Sequence, residues 1–315
     1  DKDFSPVVGC GEVAYFEPIQ PNNFITIAAI SMEDIDMDIE KEIVVGSGQN
    51  VYASQNNLYV AEIQYNYAIR PLPLAQEDND TEESFEESIE KTVVHKFSLD
   101  NGEIDYLGSG KVKGTILNQF SMDEYSNNFR IATTIHRWSF RGEDRSSNNV
   151  YVLDEDLDII GSLEDLAPGE TIYSSRFMGD RAYLVTFKKI DPFFVIDLSD
   201  PKNPEVLGKL KIPGYSDYLH PYDENHIIGI GKEAVDAKQG DFAWYQGMKM
   251  AIFDVSDVEN PKELHKITIG DRGTESEALH NHKAFLFDKE KELLVIPILL
   301  AEIDDDKKVE ERPIG

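Results

Sequence analysis

Residues 193–214 read FFVIDLSDPKNPEVLGKLKIPG, and residues 250–270, starting 57 positions later, read MAIFDVSDVENPKELHKITIG. In each copy a run dense in Val, Ile and Phe (193–196 and 250–253) suits a strand covered on both faces. The segment that follows, DLSDPKNP in the first copy, cannot continue a ladder. Its Asp and Ser side chains favour turns, and its prolines lack the donor a central strand needs. A second strand follows, and Pro213-Gly214 stops it. The unit is therefore strand, turn, strand. Weaker copies begin at Val93 (VVHKFSLDNGEIDYLG), Val150 (VYVLDEDLDIIGSL) and Phe24 (FITIAAISMEDIDMDIEKEIVV).

A second hairpin type alternates with the first. IYSSRFMGDRAYLVTF from Ile172 aligns with ILNQFSMDEYSNNFRIATT from Ile116, SDYLHPYDENHIIGIG from Ser216 and HKAFLFDKEKELLVIPI from His282, with a shorter version, VYASQNNLYVAEI, from Val51. Each is a strand, a tight polar turn and a more apolar strand. Together the two hairpins make a four-stranded antiparallel unit, repeated at the spacing of propeller blades. Such sheets bury both faces against their neighbours around an axis, so the expected fold is an all-β propeller of about five blades' worth. Residues 1–315 are expected to form one such domain, with loop insertions at 76–91, a run of acids, and at 234–247.

The chain carries 30 basic and 60 acidic residues, a net charge of −30. A phosphate backbone wants a basic patch, so nucleic acid is a poor partner. The single cysteine, Cys10, leaves no disulfide within the chain. No apolar run is long enough to span a membrane as a helix. A monomer is expected rather than an obligate oligomer.

Stretches such as LNQFSMDEY, APGETIYSSRFMGDRAYLVTF, DPFFVIDLSDPKNPEVLGKLKIPGYSDYLHPYDENHIIGIGKE and EALHNHKAFLFD resemble the secreted β-propeller-domain family of archaea and bacteria, distantly related to WD-type repeats. The resemblance runs from about Cys10 to about Pro297. It implies an extracellular or cell-surface propeller with no established reaction. It also implies further blade sequence on either side, so that this chain is a segment of a larger ring. The alternative is a smaller ring closed by its own first strands and last hairpin.

The innermost strand of each blade lines a propeller's channel, and its polar residues are the first candidates for a site. In the second hairpin type these are Asn118 and Gln119; Ser174, Ser175 and Arg176; Ser216, Asp217 and His220; and Glu277, His280 and His282. Aligned on the turns, Phe120, Arg176, His220 and Phe285 fall in one column. The ligand-binding set is thus Asn118, Gln119, Ser174, Arg176, Asp217, His220 and His282. The catalytic version is a hydrolase or lyase at the channel mouth, with Arg176 anchoring an anion and Asp217 with His220 handling a proton. The structural version has the same side chains tying blades together. His280 and His282, at i and i+2, would point the same way on a strand and grip a metal. Asp197, Asp200, Asp254 and Asp257 supply the oxygens calcium prefers, although the turn itself accounts for their recurrence. The motif GIGKE (229–233) lacks the full phosphate-loop pattern and does not open a helix. No G-x-S-x-G occurs. Trp138, Trp244 and Tyr245 are expected in loops, where aromatics stack on sugars or peptides. The balance favours a non-catalytic module recognising a protein, peptide or glycan, with no cofactor required beyond calcium as an option.

Overall fold

The computed structural model describes residues 7–9, 11, 13–15, 23–30, 32, 39–46, 48–64, 90–100, 103–136, 145–187, 191–236 and 243–303. Cys10, Trp138 and nearly all of the 76–91 insertion lie outside the described residues. The described structure is all-β. Strands β4 (Asn50–Ala53), β5 (Asn57–Gln64), β6 (Lys91–Ser98) and β7 (Tyr106–Lys113) form one four-stranded sheet in chain order. β8 (Met122–Tyr125), β9 (Asn128–Ile135), β10 (Ser147–Leu153) and β11 (Ile159–Leu166) form the next. A third contains β12 (Thr171–Met178), β13 (Arg181–Phe187), β14 (Asp191–Asp197) and β15 (Glu205–Ile212), and a fourth β16 (Tyr215–Asp223), β17 (His226–Asp236), β18 (Ala243–Asp254) and β19 (Lys262–Ile269). These are four complete blade units, and the opening phrase is the outer hairpin of the third and fourth.

Partial sheets stand at either end of the chain. β20 (Leu286–Asp288) and β21 (Leu293–Val295) make a two-stranded hairpin. The first sheet departs from the antiparallel expectation. Its order is β1-β3-β2, with β1 (Val13–Ala14) parallel to β3 (Glu40–Val45) and β2 (Phe24–Ala29) antiparallel to it.

The repeat is visible in backbone detail. At the start of the outer turn in three of the four complete sheets one amide reaches back to the turn of the inner hairpin: Leu99 N to Asn56 O at 2.7 Å, Leu198 N to Asp180 O at 2.8 Å and Val255 N to Asn225 O at 2.8 Å. The outermost strands share a β-bulge as well. Leu107, Leu207 and Leu264 are each skipped in the ladder with the strand before. A bulge increases local twist, which an outer blade strand must have.

The described chain divides into two compact units, 1–135 with 151–161 and 136–150 with 162–315. In the second, a core joins the third and fourth sheets. Tyr183 stacks on Phe193 with centroids 5.8 Å apart, and Phe193 on Phe253 at 4.9 Å. In the first, Tyr59 stacks on Phe129 at 4.4 Å among Ala61, Val94, Ile131 and Tyr151. Each fully buried ring adds about 2–3 kcal/mol of apolar transfer. Middle strands such as β10 and β13 are buried along nearly their whole length, on both faces.

The expected 234–247 loop is mostly strand. Ala234 pairs with Tyr245 and Val235 with Trp244, so β17 and β18 run on past Tyr215, where β16 begins. Trp244 and Tyr245 therefore sit on β18, with only 237–242 outside the described residues. The mixed polar sequence hid this extension, because its alternation is short and begins with a bulge at Glu233.

Candidate functional site

In the second unit, the two inner strands β12 and β16 are the same strand built twice. Each pairs with its neighbour through a bulge near its start, at Tyr173 in β12 and at Asp217 in β16. Counting from the bulge, Arg176 and His220 occupy the same position. Gly231 is where the bulge needs room, since a Cβ there would lie 1.9 Å from Tyr215 O. That is the physical reason for the second glycine of GIGKE, which lies in mid-strand; at Gly229 a Cβ would instead lie 2.6 Å from the Phe253 ring and from Ser216 Oγ.

Arg176 and His220 meet through a residue the sequence reading passed over. The Arg176 guanidinium donates from Nε to Leu219 O at 3.1 Å and from Nη2 to the Tyr218 hydroxyl at 3.2 Å. The same hydroxyl lies 3.0 Å from His220 Nδ1, and the imidazole tautomer sets which of the two donates. Burial pushes the His220 pKa down, and the Arg176 charge adds to the effect. The imidazole is thus neutral, lying beside Phe285 at 4.8 Å and Phe287 at 5.4 Å between centroids. Tyr218 packs edge-on to Phe285 at 5.4 Å.

Asp217 belongs to a different neighbourhood. Its Oδ2 is buried with no hydrogen-bond partner among the described residues. Burial pushes its pKa up to about 7, with Lys232 opposing and Glu275 adding to the rise. Lys232 is committed elsewhere: Nζ donates to Thr274 O and pairs with Glu275 at 2.8 Å. Tyr215 stands beside this group, its own pKa raised by burial and by Asp217. Tyr173, Phe187 and Tyr245 close around Tyr215 at 4.7, 5.0 and 5.3 Å. On the same hairpin extension Arg272 stacks over Trp244 at 4.8 Å. Trp244 and Tyr245 are each more than 40% exposed.

The candidate catalytic trio is therefore divided. Arg176 and His220 share Tyr218, while Asp217 faces Lys232 and Glu275. The Ser174 hydroxyl is spent on Ser216 O at 2.6 Å, a bond between neighbouring inner strands. Among the described residues no hydrogen bond joins His220 to a serine or a carboxylate. A neutral imidazole without an orienting acid is suited to holding a ligand rather than to moving its protons.

The remaining candidates sit outside this group. Asn118 and Gln119 lie in the first unit, where Asn118 Oδ1 accepts from Phe120 N at 2.9 Å and starts a 3₁₀ turn, Gln119–Ser121. His280 and His282 are not on a strand. Ser276 caps a 3₁₀ turn at Glu277–Leu279 and Asn281 caps another at His282–Ala284, so the i, i+2 geometry does not arise. Phe120 and Phe285 likewise belong to 3₁₀ turns or their caps rather than to a strand column. Asp197 accepts from Ser199 N at 2.9 Å, Asp200 from Lys202 N at 3.0 Å and Asn203 Nδ2 at 2.7 Å, Asp254 from Ser256 N at 2.9 Å, and Asp257 from Asn260 Nδ2 at 3.1 Å. These bonds account for their recurrence. Among the described residues no group of three or more His, Cys, Asp or Glu is placed to hold a metal. The sequence reading also missed Lys232 and the Arg130–Asp123 pair of the first unit, which Tyr52 reaches at 3.4 Å. A lone lysine or arginine inside an apolar strand was the available signal, since such a charge needs a partner.

A family model described as Beta propeller domain matches residues 1–312. An uncharacterized protein of Methanocaldococcus jannaschii is 47% identical over 220 residues, 70% of this chain and 32% of the relative. An uncharacterized protein of Archaeoglobus fulgidus is 42% identical over 209 residues, 66% of this chain and 30% of the relative. The chain thus spans about a third of the length of these relatives. No helix among the described residues is long and apolar enough to cross a membrane.

Proposed function

The chain belongs to the Beta propeller domain family, and from that premise we propose a non-catalytic binding or scaffold module that recognises a protein, peptide or glycan outside the cell or at its surface. The observation that carries this reading is the division of the trio. Arg176 and His220 are joined through Tyr218, with the imidazole pKa held down, and Asp217 lies in another neighbourhood. The half-exposed Trp244 and Tyr245 add flat apolar area of the kind that stacks on sugar rings and peptide side chains. Extracellular placement is supported by the family resemblance and the acidic balance, which keeps an exposed protein soluble.

Peptide and glycan arrays probed with the whole chain test the reading. Saturable binding that weakens in Trp244→Ala or His220→Ala is the expected result. Turnover of simple chromogenic esters, phosphoesters or glycosides by the purified chain, abolished in His220→Ala, would overturn it. Surface labelling of native cells tests the placement, and recovery only from the cytosol counts against it.

A further inference from the structure

A cleft of about 660 Å³ opens within the second unit between the tail of β11 and the outer strand β15. This volume is in the range of specific ligand sites. Its apolar lining comes from Leu166, Phe194 and Val206. Its charged lining is Glu164, Asp165 and Glu259 against the single cation Lys209. Among the described residues none of these four enters an ion pair, so a local surplus of negative charge surrounds an apolar floor. β15 is the last strand of its sheet, so one edge of it has no ladder partner within that sheet. An unpaired edge offers main-chain donors and acceptors to an extended segment.

The wall formed by the β11 tail is held in advance. The Asn148 amide donates to Leu166 O and Glu170 O, each at 3.1 Å, and Asn149 Oδ1 accepts from Asp165 N at 3.1 Å. Both asparagines are fully buried. The arch they hold keeps Asp165 and Ala167 in the left-handed region, at φ +58° and +49°. A wall already ordered adds little ordering entropy to the cost of binding.

An apolar floor rimmed by carboxylates matches a side chain with an aliphatic stem and a cationic head, whose stem lies on the floor while the head stays at the rim. We propose that this cleft docks a short extended segment of a partner protein carrying a lysine or arginine between apolar residues. The assignment does not rest on the Arg176–His220 face, so the two readings fail separately: His220→Ala leaves this binding unchanged.

The test is fluorescence anisotropy at physiological salt, where diffuse attraction to an acidic protein is screened beyond about 8 Å. The probe is a labelled Leu-Lys-Val-Arg-Leu peptide. Its controls are the same peptide with Glu for both cations and with Gly for the three apolar residues. Saturable binding of the first peptide alone is expected. It should weaken tenfold or more in the Glu164→Lys, Glu259→Lys double variant and stay within twofold in the Glu224→Lys, Glu290→Lys double variant, which changes the net charge equally at exposed residues that do not line the cleft. Val206→Trp, which narrows the cleft from an exposed edge position, gives a second test if the first double variant loses its fold. Equal weakening in both charge variants, equal binding of the glycine peptide, or no saturable binding would each overturn the proposal.

Discussion

β12 and β16 share a backbone and differ in side chains. Both bulge at their third residue. Yet the bulge residue is Tyr173 in one and Asp217 in the other, and the matched downstream residue is Arg176 in one and His220 in the other. Tyr173 packs its ring against Tyr215 and Phe187, which is ordinary core behaviour. Asp217 puts a carboxylate oxygen where no donor among the described residues answers it. The geometry is thus a packing solution that is reused, while the groups mounted on it are free to differ. A polar group left unanswered on such a strand is evidence about role, because packing alone would have removed it.

The largest expected effect breaks this comparison at the bulge. The Asp217 pKa in the fold, about 7, stands above its ordinary 3.8. The folded chain therefore holds a proton that the unfolded chain has released between those values. Stability on this account is greatest below pH 4, falls as pH rises towards 7, and is level above it. Asp217→Asn should remove that slope and raise stability at pH 8, relative to wild type, by on the order of 3 kcal/mol. Urea midpoints at pH 5 and pH 8 check it. Parallel pH profiles in the two proteins would show that the carboxylate is not desolvated. Tyr173→Phe at the matched bulge should leave the pH profile unchanged.

Next in size is the glycine that makes room for the second bulge. Gly231→Ala forces a methyl against Tyr215 O, a backbone atom that cannot swing away. It should cost about 1–3 kcal/mol, read as a lower denaturation midpoint at constant slope. The position facing Ile172 in the other strand pair is Thr186, which tolerates a side chain. An Ala variant of Gly231 with wild-type stability would mean that the second bulge accepts a side chain as the first does at Thr186.

The sheets were legible in the sequence because the doubled phrase carries its own punctuation. Asp197 and Asp254 begin turns, Pro204 and Pro261 end them, and the apolar runs between cannot be exposed. The inner strands were legible in outline, and counting from the bulges keeps Arg176 and His220 in step. Their division from Asp217 was not legible. A one-residue bulge changes which face a side chain takes, and nothing in SDYLH marks Asp217 as the extra residue. The HNH stretch failed for a related reason. Ser276 and Asn281 each bond the amide two residues on, which favours a tight turn over the strand that an alignment on hairpin turns implies. The extension of β17 and β18 past residue 234 was hidden by its polar composition.

A smaller effect sharpens the comparison downstream of the bulge. Arg176→Met keeps the aliphatic stem but removes donors to Leu219 O and Tyr218, which should cost about 1–2 kcal/mol. It also removes a positive charge that helps hold the His220 pKa down, so that pKa should rise towards its ordinary 6.5. An NMR titration of the His220 ring reads the shift. A pKa that moves further down would mean that the Tyr218 bridge, rather than the guanidinium, sets the imidazole's state.

The smallest effect compares the two copies of the opening phrase. Asp254 accepts from both the amide and the hydroxyl of Ser256, whereas among the described residues the Asp197 carboxylate accepts in its turn from the Ser199 amide alone. The Ser256 hydroxyl bond, with the amide bond behind it, holds the Asp254 carboxyl below its ordinary 3.8. What that carboxylate contributes is present above pH 4 and is lost as pH falls below it. Asp254→Ala should therefore lower the melting temperature slightly more than Asp197→Ala at pH 7, and the gap should close near pH 3. If Asp197→Ala proves the more damaging at pH 7, then Pro201, which stands where the second copy has Val258, makes the first turn depend more on its acid. The turn's stiffness, rather than its hydrogen-bond count, would then be what the repeat preserves.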